Sequence, residues 1–193
     1  ASDGPKLAWQ ATGIGHGYSS VVTSGGLLIT TGRVDGRVVC FALNAVTGKK
    51  KWETVIGETS RNVMSTPTIH DGRVYAVDPD GELVCLRLSD GEILWERSYL
   101  KEFGGRLMSG RGYGESPLID GDRLLVTPGG ADSMIVALDR KTGHVAWETP
   151  IGFHYQHQMF LSHAAGKVII TGSYNIGKQV KYDLYAIASD TGK

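Results

Sequence analysis

The chain has 193 residues, 41% of them hydrophobic, and 20 basic residues balance 20 acidic ones. That length allows one domain with a substantial core, and the charge balance excludes a nucleic-acid or anionic-membrane partner held by net charge. No apolar run approaches the roughly 20 residues of a membrane-spanning helix. Gly is abundant (27) and Pro scarce (6), which fits many tight turns and few linkers. The chain starts at Ala1 without a signal peptide, as a processed mature chain or a trimmed one would.

In chain order, residues 1–9 read as the tail of a repeat unit, a Gly-Pro turn followed by an outer strand from Lys6 to Trp9. Residues 10–52 form the first complete unit. It has strands at Tyr18 to Thr23, Leu27 to Thr31 and Val38 to Leu43, then a Thr-Gly turn and the strand holding Trp52. Residues 53–95 repeat the order with Thr66 to Ile69, Arg73 to Val77, Glu82 to Leu88 and the strand ending at Trp95. Residues 96–147 repeat it with Ser116 to Ile119, Leu124 to Thr127, Ser133 to Leu138 and Trp147. Residues 148–193 give three strands, Met159 to Ser162, Lys167 to Thr171 and Lys181 to Ile187, and stop before a fourth Trp. Asp-Gly pairs between short apolar runs are strong hairpin signals, because Gly tolerates positive φ. No segment carries a helical stripe over ten or more residues.

Trp9, Trp52, Trp95 and Trp147 recur at intervals of 43, 43 and 52 residues. A period in this range, built from short turn-bounded strands, marks a propeller or similar array. The expected fold is therefore all-β, a single β-propeller of four-stranded antiparallel blades, about four in this chain. The first and last segments (1–9 and 148–193) can together make one split blade, which removes free sheet edges. The same phase arises if the chain is half of a larger ring. Each Trp, with the Gly four residues before it (Gly48, Gly91, Gly143), is expected to join adjacent blades by burying its indole. Cys40 and Cys85 read as the same position of successive repeats. Equivalent strands about 10 Å apart lie too far from one another for a disulfide, so two buried free thiols are expected.

The pattern apolar-Ala-Leu-(Asn/Asp)-x-x-Thr-Gly-x-x-x-Trp stands at Phe41 to Trp52 and at Val136 to Trp147. Leu86 to Trp95 reads as a variant with a turn shorter by two residues, and Tyr185 to Lys193 as a truncated copy. This pattern resembles the pyrroloquinoline-quinone-like β-propeller repeat, and the resemblance covers essentially the whole chain. It implies a bacterial, periplasmic or secreted protein. It also implies either a binding scaffold, as in the lipoprotein of outer-membrane barrel assembly, or a quinoprotein dehydrogenase. Propellers of the WD40-like type end strands in Trp-Asp, whereas Trp52, Trp95 and Trp147 are each followed by Glu. Many quinone enzymes of the resembled family stack their cofactor against a ring formed by adjacent cysteines, and this chain has no Cys-Cys pair. No cofactor and no metal are therefore assigned, and the reading leans away from an enzyme.

Topology then sorts the loops. In an up-and-down blade the second-to-third turns and the crossovers between blades share one face. On that face the crossover from Trp95 to Ser116 is the longest, with Lys101, Arg106, Met108, Arg111, Tyr113 and Glu115. The next crossover holds His154, Tyr155, His157 and Gln158, and Ser173 to Lys181 reads as a long loop with Tyr174 and Asn175. Long loops on a rigid frame carry function. Arg106, Arg111, Tyr113, Glu115, His154 and His157 are the expected ligand-binding residues, for a protein or other ligand. A homodimer of half-rings is a further expected partnership. His154, His157 and His163 on extended chain do not converge as helical metal ligands do. Asp78-Pro79-Asp80-Gly81-Glu82 reads as a hairpin turn rather than a calcium loop.

Overall fold

The computed structural model describes Gly4 and residues 6–107, 110–151 and 159–193. The apolar runs form fifteen strands and one short helix among these residues. The first sheet is β1 (Val22–Ser24), β2 (Leu27–Val34), β3 (Arg37–Asn44) and β4 (Lys50–Glu58). The second is β5 (Thr68–His70), β6 (Arg73–Val77), β7 (Glu82–Arg87) and β8 (Ile93–Ser98), followed by α1 (Tyr99–Phe103). The third is β9 (Leu118–Asp120), β10 (Arg123–Val126), β11 (Ile135–Asp139) and β12 (Val145–Thr149). The fourth has three strands, β13 (Met159–Ala164), β14 (Lys167–Ile176) and β15 (Gln179–Ala188). Every pairing is antiparallel and sequential, which makes each sheet a propeller blade.

The middle strands of the first three blades are buried on both faces, so their sequences read as unbroken apolar runs rather than alternating ones. The core consists of three layers between blades. Ile29, Val38, Cys40 and Ala42 of blade one meet Val74, Ala76, Val84 and Leu86 of blade two. Tyr75, Val77, Leu83 and Cys85 meet Leu124, Val126, Val136 and Leu138 of blade three. Leu125, Ile135 and Ala137 meet Val168 and Ile170 of blade four.

One joint recurs four times, and it accounts for the Thr-Gly-x-x-x-Trp unit. Trp9, Trp52, Trp95 and Trp147 donate their indole N–H to the carbonyls of Ala45, Leu88, Arg140 and Ser189 in the following blade, at 2.9–3.3 Å. The backbone N–H of each of those four acceptor residues is itself held by the first turn of its own blade, at Gly26, Gly72, Asp122 and Gly166. Three residues on come Gly48, Gly91, Gly143 and Gly192, all at φ between +68° and +77°. A Cβ there would lie 2.4–2.8 Å from atoms of the indole or, at Gly192, of Thr149. Glycine is thus required twice over, by the left-handed backbone and by the ring lying on it. Thr54, Arg97 and Thr149, two residues past three of the Trp, donate to the carbonyls of the same glycines. A β-bulge just before each of these Trp lets the ring swing toward the next blade: Lys51, Leu94 and Ala146 are skipped in the registers of β4, β8 and β12.

These registers correct three expectations. The turn of blade two has the same length as the others, since Arg87 bonds to Glu92 as Asn44 does to Lys49 and Asp139 to His144. Cys85 pairs with Trp95 as Ala42 pairs with Trp52, so Cys85 and Cys40 are not equivalent positions. They sit two residues out of phase, in different core layers, and both are free and buried. Ser173 to Lys181 is not a long loop. β14 and β15 run out as a hairpin turning at Gly177 and Lys178, paired from Ile176–Gln179 downward.

Residues 6–9 are not a strand, and among the described residues β15 has no partner on its outer edge. The N-terminal stretch lies instead against the outward side of blade one, with Trp9 over Gly48 and the Ile14 carbonyl against Gly32. The outward side of blade four is bare: Phe160, Tyr182 and Leu184 are 60%, 77% and 69% exposed. Thr171 pairs with both Phe160 and Leu184, which places those two side chains on one face of the sheet.

Candidate functional site

The ends of the crossovers run side by side where the innermost strands begin. Tyr18 donates its N–H to Val63 O at 2.7 Å, and Ser20 N–H reaches Thr66 Oγ1 at 3.0 Å. Thr66 N–H reaches Ser116 Oγ at 3.1 Å, while Thr31 Oγ1 and Thr68 Oγ1 donate to the carbonyls of Ser65 and Pro117. Hydroxyl side chains thus tie the crossover segments of successive blades to one another, a ladder that no single-repeat motif reveals.

The long crossover between blades two and three is built, not loose. Ser98 opens α1, and its N–H donates to Glu102 Oε1 at 2.7 Å. Gly104 in the left-handed conformation ends the helix, and Gly105 N–H caps Tyr99 O. Five residues are too few for a hydrophobic period to show, so the helix was illegible in the sequence. Tyr99 and Tyr113 stack edge-to-face, centroids 5.0 Å apart. The Tyr113 hydroxyl donates to Pro128 O at 2.8 Å, and its N–H donates to Pro79 O. Arg61, from the preceding crossover, forms an ion pair with Asp80 and donates from Nε to Gly110 O at 3.3 Å. Crossovers and second-to-third turns therefore do gather on one face.

Of the six expected binding residues, Arg106 and Arg111 are exposed on this face. Tyr113 is not on the surface: it is buried in the core between blades two and three, its hydroxyl already bonded. The carboxylate end of Glu115 is also turned inward. Its Oε1 is buried without a donor, and burial pushes its pKa well above the usual carboxylate range. It lines a cavity of about 10 Å3 with Tyr99, Tyr113, Ser116, Pro117, Val126, Thr127 and Leu161, space for one water at most. A backbone segment that leaves a blade and crosses the core edge must bury one side, and Tyr113 and Glu115 are on that side. His154 and His157 lie outside the described residues. His163 sits on strand β13, not on a loop, with Nε2 3.2 Å from Asp120 Oδ1. Among the described residues no three His, Cys, Asp or Glu side chains converge as metal ligands would.

Two features escaped the sequence. On the opposite face Arg140, 8% exposed at its side chain, donates to Asp71 Oδ2, Asp122 Oδ1 and Gly121 O at 3.1–3.2 Å. It ties the first turns of blades two and three. Arg140 also holds the Asp71 carboxyl below its ordinary pKa, first by hydrogen bond and then by charge. The second feature is a polar concavity of about 400 Å3 beside blade one, lined by His16, Gly17, Tyr18, Arg33 and Asn62. Its residues come from three chain segments, and no spacing rule joins them.

The family described as "Outer membrane protein assembly factor BamB" matches residues 2–193. The curated BamB of Burkholderia pseudomallei is 32% identical over 151 residues, covering 77% of this chain and 35% of that protein. The chain spans about a third of the length of the curated relatives it matches. Among solved structures, BamB from Moraxella catarrhalis superposes with a TM-score of 0.70 at 20% identity, over 97% of this chain and 54% of that one. Quinohemoprotein alcohol dehydrogenase from Comamonas testosteroni gives 0.69 at 14% identity, over 97% and 36%. At these identities the two structures attest the fold alone.

Proposed function

The chain belongs to the family of the outer membrane protein assembly factor BamB, and on that premise we propose that it is a noncatalytic, protein-binding propeller working in outer membrane protein assembly from the periplasmic side. The observation that supports this reading is the placement of the elaborated loops. The short two-residue first turns lie on one face, while α1, the long crossover and the exposed Lys101, Arg106 and Arg111 lie on the other. The frame beneath that face is rigid through the Arg61–Asp80 pair and the Tyr99–Tyr113 stack. Leu100, exposed on α1, adds an apolar contact among these charges. Such a mixture of a fixed apolar point and long cationic side chains suits a protein surface.

Photo-crosslinking in a bacterium lacking its own relative tests the face. With the crosslinker at Leu100 or Arg111, adducts to envelope proteins are expected, and with it at Lys49, on the opposite face, none. Combining Lys101→Glu, Arg106→Glu and Arg111→Glu is expected to abolish the adducts from Leu100 while the urea midpoint stays unchanged. Adducts from Lys49 alone, or unaltered adducts in the triple variant, would overturn the assigned face.

An oxidoreductase role draws no support from the residues: Cys40 and Cys85 are buried in separate core layers, and neither is adjacent to another Cys. The bare outer side of blade four belongs in this reading to the continuing ring, supplied by further blades or by a second copy. If a second copy supplies it, light scattering on the isolated chain returns twice the 20.8 kDa monomer mass, and Leu184→Asp returns it to one. A monomer at high concentration excludes the half-ring dimer.

A further inference from the structure

The concavity beside blade one is not used by the scaffold reading, and its walls are fixed by backbone. His16 and Arg33 exchange both backbone hydrogen bonds, at 3.0 and 2.8 Å. Gly17 bridges in parallel to Val63, next to Asn62. A Cβ on Gly15 would lie 2.5 Å from Arg33 O, and one on Gly17 would lie 2.9 Å from Val63 O. Both glycines therefore let the entering chain approach its neighbours closely, and they hold His16 and Tyr18 against Arg33 and Asn62.

The lining is one-sided in its chemistry. Among the described residues it offers one permanent cation, an imidazole, an amide and a phenol, and no carboxylate. Arg33 Nε is buried and meets no acceptor. A buried guanidinium N–H without an acceptor is destabilising, and turning the side chain toward an oxygen held in the concavity relieves it. The flat fork of a guanidinium matches two coplanar oxygens. A single permanent charge complements a monoanion better than a dianion. The volume, about 400 Å3, lies in the range of pockets that take a small organic group.

We propose that this pocket binds a carboxylate group, with Arg33 as its anchor, His16 and Asn62 as flanking donors and the Tyr18 ring as a wall. The carboxylate comes from an acidic side chain of an extended peptide or from a free small carboxylic acid. The assignment holds whether or not the crossover face recruits a protein.

The test follows the Nε–H resonance of Arg33 in the 15N-labelled chain. The probes are sodium acetate, a capped Gly/Ser hexapeptide with one central Glu, its Gln counterpart and inorganic phosphate. A saturable shift with acetate or the Glu peptide, and none with the Gln peptide, is expected. Affinity at least about tenfold higher for the Glu peptide identifies a peptide side chain as the occupant, and equal affinity identifies the free acid. Arg33→Gln is expected to weaken binding by about tenfold or more, the loss of one charge-assisted pair. Asn62→Ala, at an exposed position, weakens it without touching the fold and serves if Arg33→Gln does not fold. No saturable shift with either carboxylate, equal binding of the Gln peptide, or tighter binding of phosphate overturns the proposal.

Discussion

Trp52→Ala is expected to lower the stability of the chain by about 3–5 kcal/mol, the range for truncating a buried aromatic side chain. The indole is buried in the layer between blades one and two, with Val74, Ala76, Val84 and Leu86 among its surroundings. Its N–H reaches Leu88 O at 2.9 Å, and Gly91 lies under the ring. Truncation removes the apolar area, leaves a cavity over Gly91 and unpairs a carbonyl whose residue is pinned by Gly72. Trp52→Phe keeps most of the area but loses the hydrogen bond, so a smaller loss of about 1–2 kcal/mol is expected. Trp95, less buried than Trp52, costs less to truncate. Urea unfolding with an unchanged slope measures each difference, and a loss below about 1 kcal/mol for Trp52→Ala would falsify its role as a joint.

The second large effect is one of pH. Asp78 is fully buried at the start of the β6–β7 turn. Its Oδ1 accepts the N–H groups of Asp80 and Glu82 at 2.9 and 2.8 Å, whereas Oδ2 has no partner. Burial outweighs those two donors and, with the nearby Asp80 and Glu82 charges, pushes the pKa up to about 6. An unfolded Asp titrates near 3.9. Because the folded pKa is the higher one, the unfolded state releases its proton first as pH rises. Stability from this group is complete below about pH 4 and is lost by about pH 6, at most about 3 kcal/mol in all. Glu115, also raised by burial, adds a slope of the same sign. Asp78→Asn should match the parent near pH 4 and exceed it by up to that amount at pH 7, isolating the Asp78 share. A variant less stable than the parent at pH 7 would show that the charge itself supports the turn.

The sequence carried the fold further than the site. The Trp spacing, the Thr-Gly turns and the Asp-Gly hairpins each follow from a local rule, and three four-stranded sheets follow that order, whereas residues 6–9, expected as the outer strand of a split blade, form no strand. It also located the elaborated face, because antiparallel order alone decides which loops share a side. It misjudged the phase of blade two, since Cys85 and Cys40 both precede a Leu by three residues while their strand partners differ. It also treated Ser173 to Lys181 as a loop, since polar residues at a hairpin tip look like one whether or not the strands continue to pair. Within the long crossover, sequence could not say which residues face out. Arg106 does; Tyr113 and the Glu115 carboxylate do not.

What the sequence determined by itself is the repeating unit, because a strand's period, a left-handed Gly and a Trp are properties of a few neighbouring residues. Tertiary structure alone decided which carbonyl each Trp meets. The indole of one blade meets a carbonyl 36 to 45 residues away, in a turn that its own blade holds still. The same is true of Arg140 on two aspartates and of Arg33 beside His16, Tyr18 and Asn62. These groupings join distant segments through packing between blades, and packing between blades leaves no periodic mark along a single chain.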